Sequence, residues 1–291
     1  MVQNLNIKPF LKWVGGKRKL IPQLEVKFPD YIKSNEFTYV EPFLGGGAMF
    51  FYLISKYSIK KAYLNDINDK LIDTYVNVRD NSDKIIKALK KLESSYYKSS
   101  DKKEFFLKKR SEFNKLSLSI KKSSLFIFLN KVGFNGMYRE NSKGEYNIPF
   151  GDMNEPKICD KKLIENISKL LNENEIQFSS KSFEDVLIDE KNVFYYLDPP
   201  YMPISKTSSF TDYTSKNQYK NDINLQNKIC EYCHKINTSD SFFLQSNSYL
   251  PDFFKHTYDN KYFFDKLEVT RTIGADGSKR NKIHEILIGN F

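Results

Sequence analysis

The chain has 291 residues, 40% of them apolar, enough for a core in one large or two modest domains. Lys and Arg outnumber Asp and Glu by 46 to 36, a formal charge of +10 that favours a polyanionic partner over a small neutral substrate, although an AT-rich genome gives the same lysine bias. No apolar run approaches the roughly 20 residues of a membrane span and Met1 to Phe10 holds no signal-peptide core, so the expectation is a soluble cytoplasmic protein.

In chain order, Phe10-Leu11-Lys12-Trp13-Val14-Gly15-Gly16-Lys17-Arg18 superficially suggests a phosphate loop. Leu11 stands where the first Walker glycine is needed, and Arg18 where Ser or Thr would ligate magnesium. Trp13 and Lys17 could instead cover an adenine and meet a carboxylate; a lone Trp also fits the core. A strand at Thr38 to Val40, a glycine turn, a helix from Ala48 to about Ser58 and a strand at Ala62 to Leu64 then open a doubly wound α/β domain.

The turn Glu41-Pro42-Phe43-Leu44-Gly45-Gly46-Gly47 lies where such a domain lets a ligand approach the backbone, and Asp66 follows the next strand, where a carboxylate can take ribose hydroxyls. The third glycine of a dinucleotide fingerprint would fall at Phe50, so a cofactor with ribose but no pyrophosphate fits better, S-adenosylmethionine being the obvious one. The bland alternative is a turn with an exposed Asp.

From Asn68 to Lys131 the pattern is helical and rich in lysine. Phe134-Asn135-Gly136-Met137-Tyr138-Arg139 follows, a turn whose aromatic, amide and guanidinium groups suit base wedging and edge reading as well as a plain hairpin entry. Tyr138 to Ile148 reads as a β-hairpin through Asn141-Ser142-Lys143-Gly144, and Lys161 to Asn172 as a helix. Strands are expected at Ile176 to Ser179, Val193 to Leu197, Ser241 to Gln245, Lys266 to Ile273 and Ile283 to Gly289, the last two antiparallel. The division expected is a catalytic, cofactor-binding domain in two parts, 1–67 and 176–291, split by a helical target-recognition domain, 68–175.

Asp198-Pro199-Pro200-Tyr201 ends the run Val193-Phe194-Tyr195-Tyr196-Leu197. The prolines stop the strand and leave a carboxylate, a free carbonyl and a ring at the sheet's carboxyl edge. That set can hold an amino group, and alone it fits an ordinary strand-ending turn equally well. The loop Ser205 to Lys216 could close over an extruded base, and Lys279-Arg280-Asn281-Lys282 reads as a phosphate contact or a wet turn. Cys230-Glu231-Tyr232-Cys233-His234 has haem-attachment spacing but sits in a helical pattern with Leu225, Ile229, Cys233 and Ile236 on one face. Cys159, Cys230 and Cys233 are therefore expected in the core, and no metal site is expected.

Together F-L-K-W-V-G-G-K, E-P-F-L-G-G-G, L-N-D-I-N, F-N-G-M-Y-R, N-I-P-F-G, D-P-P-Y and the ending R-T-I-G-A-D-G-S-K-R-N-K-I-H-E-I resemble, over nearly the whole chain, the Dam/DpnM branch (α group) of DNA adenine-N6 methyltransferases. The resemblance implies a class I methyltransferase fold (α/β, Rossmann-like mixed sheet), S-adenosylmethionine as donor, and base flipping of adenine in double-stranded 5'-GATC. By that resemblance Trp13, Lys17, Glu41, Phe43, Gly45, Asp66 and Asp198 match cofactor positions, and Lys12, Phe134, Asn135, Met137, Arg139 and Pro149 match DNA contacts. Asp198, Pro199 and Tyr201 are the expected catalytic group. After Pro149-Phe150-Gly151 many relatives carry Arg and Tyr, where this chain has Asp152 and Met153, a departure that bears on the GATC expectation. A monomer is expected, with a restriction endonuclease of the same site as a candidate partner. The alternatives are an amino-group methyltransferase acting on RNA or protein and a non-catalytic DNA-binding relative.

Overall fold

The computed structural model describes residues 7–204, 222–270 and 282–291. Ser205 to Lys216, Lys279 to Asn281 and the last three residues of the strand expected at Lys266 to Ile273 lie outside the described residues. After a 3-10 turn at Lys17–Lys19 come α1 (Ile21–Glu25), α2 (Asp30–Ser34), β1 (Phe37–Glu41), α3 (Ala48–Lys56) and β2 (Ile59–Asn65). The β2 to β3 connection carries α4 (Asp69–Asp80), α5 (Ser82–Lys98), α6 (Lys102–Lys115), α7 (Ile120–Val132) and α8 (Lys161–Glu173). The remaining elements are β3 (Ile176–Ser179), β4 (Phe194–Leu197), α9 (Asp222–Thr238), β5 (Phe242–Ser248), α10 (Pro251–Thr257), β6 (Phe263–Thr270) and β7 (Lys282–Gly289).

The strands form one sheet in the order β3-β2-β1-β4-β5-β7-β6. β3, β2, β1, β4 and β5 run parallel and β7 runs antiparallel to both of its neighbours, as the short last connection required. This mixed α/β sheet is consistent with the class I methyltransferase fold. Strand order reverses between β1 and β4, so the crevice beyond their carboxyl ends is the topological switch point where such sheets bind ligands.

Alternation within the apolar strands explains the two cores. In β4, Phe194 and Tyr196 join the cluster that holds the buried faces of α3 to α8, while Tyr195 and Leu197 join the cluster under α9 and α10. Each such apolar side chain, fully buried, is worth about 1.5–3 kcal/mol. Leu225, Ile229, Cys233 and Ile236 face inward from α9 as their spacing predicts, and all three cysteines are buried. No helix of the described residues is long and apolar enough to cross a membrane.

The hairpin expected at Tyr138 to Ile148 is present in reduced form. One bridge, Glu140 to Tyr146, pairs its arms, with Asn147 N donating to Arg139 O at 3.1 Å. Side chains of α6 take over the rest of the second arm: Arg110 donates to Ile148 O at 2.9 Å, and Asn114 brackets Tyr146 with bonds of 2.9 and 3.1 Å. Backbone groups bonded to a helix cannot also build a ladder.

Candidate active site and nucleic-acid interface

Pro199 and Pro200 end β4, leaving Asp198 at the switch point. Its Oδ1 meets Lys17 Nζ at 3.0 Å and accepts from Ser246 Oγ at 3.1 Å; among the described residues, both protein bonds to this carboxylate fall on Oδ1. Lys17, only 4% exposed, also lies 3.6 Å from Glu285 Oε2 and 4.6 Å from the centre of the Tyr201 ring, and the Tyr201 hydroxyl donates to Glu285 Oε2 at 2.7 Å. Burial alone would lower the Lys17 pKa; the carboxylates of Asp198 and Glu285 outweigh it and hold the ammonium above its ordinary range. Burial likewise raises Glu285, with Lys17 opposing. Lys17, Asp198 and Tyr201 thus come together, joined by Ser246 and Glu285, which the sequence did not single out.

The turn after β4 is held from behind. Gln226 donates to Pro200 O at 3.1 Å, Met202 N donates to Asn247 Oδ1 at 2.9 Å, and Asn247 donates to Gln226 Oε1 at 2.9 Å. Both amides are buried, so this closed network fixes where Asp198 and Pro199 point.

The glycine turn leans on the other side of the crevice. Asp66 accepts from Gly45 N through Oδ2 at 2.9 Å and from Asn68 N through Oδ1 at 3.0 Å; burial pushes its pKa up to about 6 against these bonds. Buried Asn65 ties the strand ends together, donating to Pro42 O and Lys181 O at 3.1 Å each and accepting from Ser179 Oγ at 2.7 Å. Gly45 has φ +49°, and a Cβ there would fall 2.7 Å from Trp13 Nε1. The close approach expected of a ligand is therefore made at this glycine by the Trp13 ring, which also stacks on Tyr138 at 6.1 Å. Phe43 packs against Phe183 at 5.1 Å, and buried Glu41 accepts from the Tyr39 hydroxyl at 2.8 Å. Burial drives Glu41 well above the usual carboxylate range, Tyr39 opposing.

Residues 13–273 match the D12 class N6 adenine-specific DNA methyltransferases. The chain belongs to this family. It is 38% identical over 294 residues to the type II methyltransferase M.MjaIII of Methanocaldococcus jannaschii, covering 99% of this chain and 100% of that one. It is 38% identical over 295 residues to the type II methyltransferase M1.LlaDCHI of Lactococcus lactis subsp. cremoris (99% and 96%) and 30% identical over 284 residues to the DNA adenine methylase of Escherichia coli K12 (96% and 94%). It is an adenine-specific DNA methyltransferase, so the readings as an RNA or protein methyltransferase and as a non-catalytic relative fall away.

The methyltransferase carries its second set of candidate residues around the 3-10 turn Phe134–Gly136. Phe134, 47% exposed, Asn135 and Arg139 project to solvent, and Phe134 N bonds Pro149 O at 3.0 Å, which brings exposed Pro149 alongside. Met137 is partly buried in the core instead of projecting. Arg139 is steadied by Asn147 at 2.9 Å. Lys12 reaches this turn from the amino-terminal segment: a Cβ on Gly136, whose φ is +64°, would fall 2.3 Å from Lys12 Cβ.

Asn130, buried at the end of α7, clamps the two segments. Lys12 N donates to its Oδ1 at 2.8 Å, and its Nδ2 donates to Lys12 O at 2.7 Å and Gly136 O at 2.9 Å. The Lys12 ammonium lies 3.2 Å from Met153 Sδ, a weak acceptor, and burial lowers its pKa. Nearby Lys131 is pushed down to about 8 by burial, with Lys12 adding to the effect. Asp152, the neighbour of Met153, is exposed.

Proposed function

We propose that the chain transfers a methyl group from S-adenosylmethionine to N6 of an adenine flipped out of double-stranded DNA, within 5'-GATC. The observation that carries this reading is the Asp198 carboxylate at the switch point, bonded among the described residues through Oδ1, which leaves Oδ2 as the acceptor for an amino N–H. The Pro199 carbonyl is the second acceptor. The lone pair of an exocyclic adenine nitrogen is delocalised into the ring, and acceptors opposite its two N–H bonds return that density to nitrogen. No base is needed before transfer, because the amino group becomes acidic only as it is methylated. Tyr201 offers a face for the adenine ring.

The donor set suits an adenosyl cofactor. Each Asp66 oxygen receives one backbone N–H, leaving a lone pair on each for a ribose diol. Lys17, Trp13, Glu41, Phe43 and Gly45 complete the holding group. When bound, S-adenosylmethionine supplies an electrophilic methyl group.

Residues 68–175 form the reading unit in this proposal and residues 1–67 and 176–291 the catalytic unit. Lys12, Phe134, Asn135, Arg139 and Pro149 face the duplex, Arg139 and Asn135 as edge readers and Phe134 as a wedge, while Met137, packed against the core, backs the turn. Flipping costs a few kcal/mol, offset by phosphate contacts, to which the chain's +10 charge contributes. The chain acts as a monomer in the cytoplasm, and the type II names of two relatives support a partner endonuclease cutting the same site.

The test is transfer of labelled methyl from S-adenosylmethionine to duplexes that contain or lack GATC, followed by identification of the modified base. Label on adenine in the GATC duplex alone is expected. Equal labelling refutes the site, and label on cytosine refutes the chemistry.

A further inference from the structure

We propose that Glu285 is a positioning residue for methyl transfer, fixing the Tyr201 ring and drawing Lys17 partly away from Asp198. The inference rests on the function proposed above. Glu285 stands on β7, opposite Ser248 of β5, so its side chain is delivered to the crevice by the antiparallel strand and not by the parallel strands whose ends form the switch point. It is 8% exposed, in a strand whose next three residues, Ile286, Leu287 and Ile288, are core. A carboxylate buried there is costly unless its partners repay it.

Its partners are both functional candidates. Oε2 accepts from the Tyr201 hydroxyl at 2.7 Å and lies 3.6 Å from Lys17 Nζ, which is itself 3.0 Å from Asp198 Oδ1. The Tyr201 ring is held at both ends, by its place after the two prolines and by its hydroxyl, so the face offered to adenine has one orientation. One ammonium is shared by two carboxylates, which leaves the cluster with a net negative charge. Asp198 is therefore less neutralised than in a simple pair with Lys17, and a better acceptor for an amino N–H. Glu285 touches no reacting atom; it acts through Tyr201 and Lys17.

The experiment uses the full chain with Glu285→Ala, Glu285→Gln, Tyr201→Phe and the double variant Glu285→Ala/Tyr201→Phe. Single-turnover methyl transfer, the duplex dissociation constant and the unfolding midpoint of the cofactor-free protein are measured for each. Glu285→Ala is expected to slow transfer about 30-fold with the duplex constant within about twofold, a loss confined to the chemical step. Glu285→Gln keeps an acceptor for the Tyr201 hydroxyl and should recover about half of that loss on a logarithmic scale. Adding Tyr201→Phe to Glu285→Ala should cost no more than about twofold further, since the same bond is already gone, and the unfolding midpoints should show the same non-additivity. Transfer by Glu285→Ala within about twofold of the parent, or losses that multiply in the double variant, would overturn the proposal. If Glu285→Ala does not fold, Glu285→Gln decides it: a single-turnover rate equal to the parent's overturns it. A parent chain that methylates adenine beside an unaffected Glu285 variant sinks this role alone; a parent that methylates no adenine in any duplex sinks the function reading and this role with it.

Discussion

The carboxyl edge of the sheet and the turn at Phe134–Gly136 solve opposite problems. At the sheet edge charge is buried and answered within the protein: Lys17 is 4% exposed between Asp198 and Glu285, and Gln226 and Asn247 lock the turn behind it. At the turn the side chains project, with Phe134 47% exposed and Asn135 and Arg139 open to solvent, while the backbone is anchored through Asn130 and Pro149 and Arg139 is steadied by Asn147. Chemistry needs acceptors that do not move when charge develops, so its groups are fixed before substrate arrives. Sequence reading needs donors and acceptors that the DNA itself desolvates, so those groups wait on the surface. Lys12 and Trp13 are consecutive residues that pack on Gly136 and Gly45, which makes the amino-terminal segment the covalent link between the two regions.

The largest expected effect breaks the buried side. Lys17→Met leaves Asp198 and Glu285 without their shared counter-charge and should cost about 3 kcal/mol of stability, read by urea unfolding at pH 8. The loss should shrink as pH falls, because Glu285, already raised by burial, takes up a proton and the repulsion ends. A loss that does not depend on pH would mean that packing, not charge, is what Lys17 supplies. Next comes the clamp between the regions: Asn130→Ala strips three backbone partners at once and should cost about 2–3 kcal/mol in the same measurement, with weaker duplex binding. Unchanged duplex affinity would uncouple the reading turn from Lys12.

On the exposed side, Arg139→Ala should leave stability nearly unchanged and reduce discrimination between the preferred duplex and a single-base variant by about 2 kcal/mol, read as a ratio of kcat/KM. A uniform loss over all sequences would make Arg139 a phosphate contact. The smallest effects come from proton linkage, and they have opposite sign in the two regions. Asp66, at about 6, must be ionised to accept ribose hydroxyls, so donor affinity should fall as pH drops below about 6. Lys131, at about 8, is cationic below that value, so duplex affinity should fall as pH rises above it. Calorimetric titration of donor and of duplex between pH 5 and 9 reads both, each limited to about tenfold per pH unit.

Where side chains alternate or glycines cluster, the fold was legible in the chain. Val193 to Leu197 gave β4 because a strand buried on both faces is apolar throughout, and Ile176 to Ser179 matched β3 to the residue. The reading failed where polarity and burial part company. β5 runs on through Ser246, Asn247 and Ser248, three polar residues that look like a loop but are buried because they back the site. Asn65 and Asn130 were hidden in the same way, the second directly after the apolar run Leu125 to Leu129, where a lone amide was itself a signal that some backbone needs it. Glu285 carried the clearest missed signal, an acid within a strand that runs straight on into the core residues Ile286 to Ile288. The reduced hairpin had none, because the competitors for its backbone, Arg110 and Asn114, lie more than thirty residues away in sequence.

The division between a site that is held and a surface that is offered rests most on Asp198. In single-turnover transfer of labelled methyl to a saturating GATC duplex, Asp198→Ala should lose about 10³-fold or more in rate while its duplex dissociation constant stays within about threefold of the parent's. Adenine methylation by Asp198→Ala at close to the parental rate would contradict it.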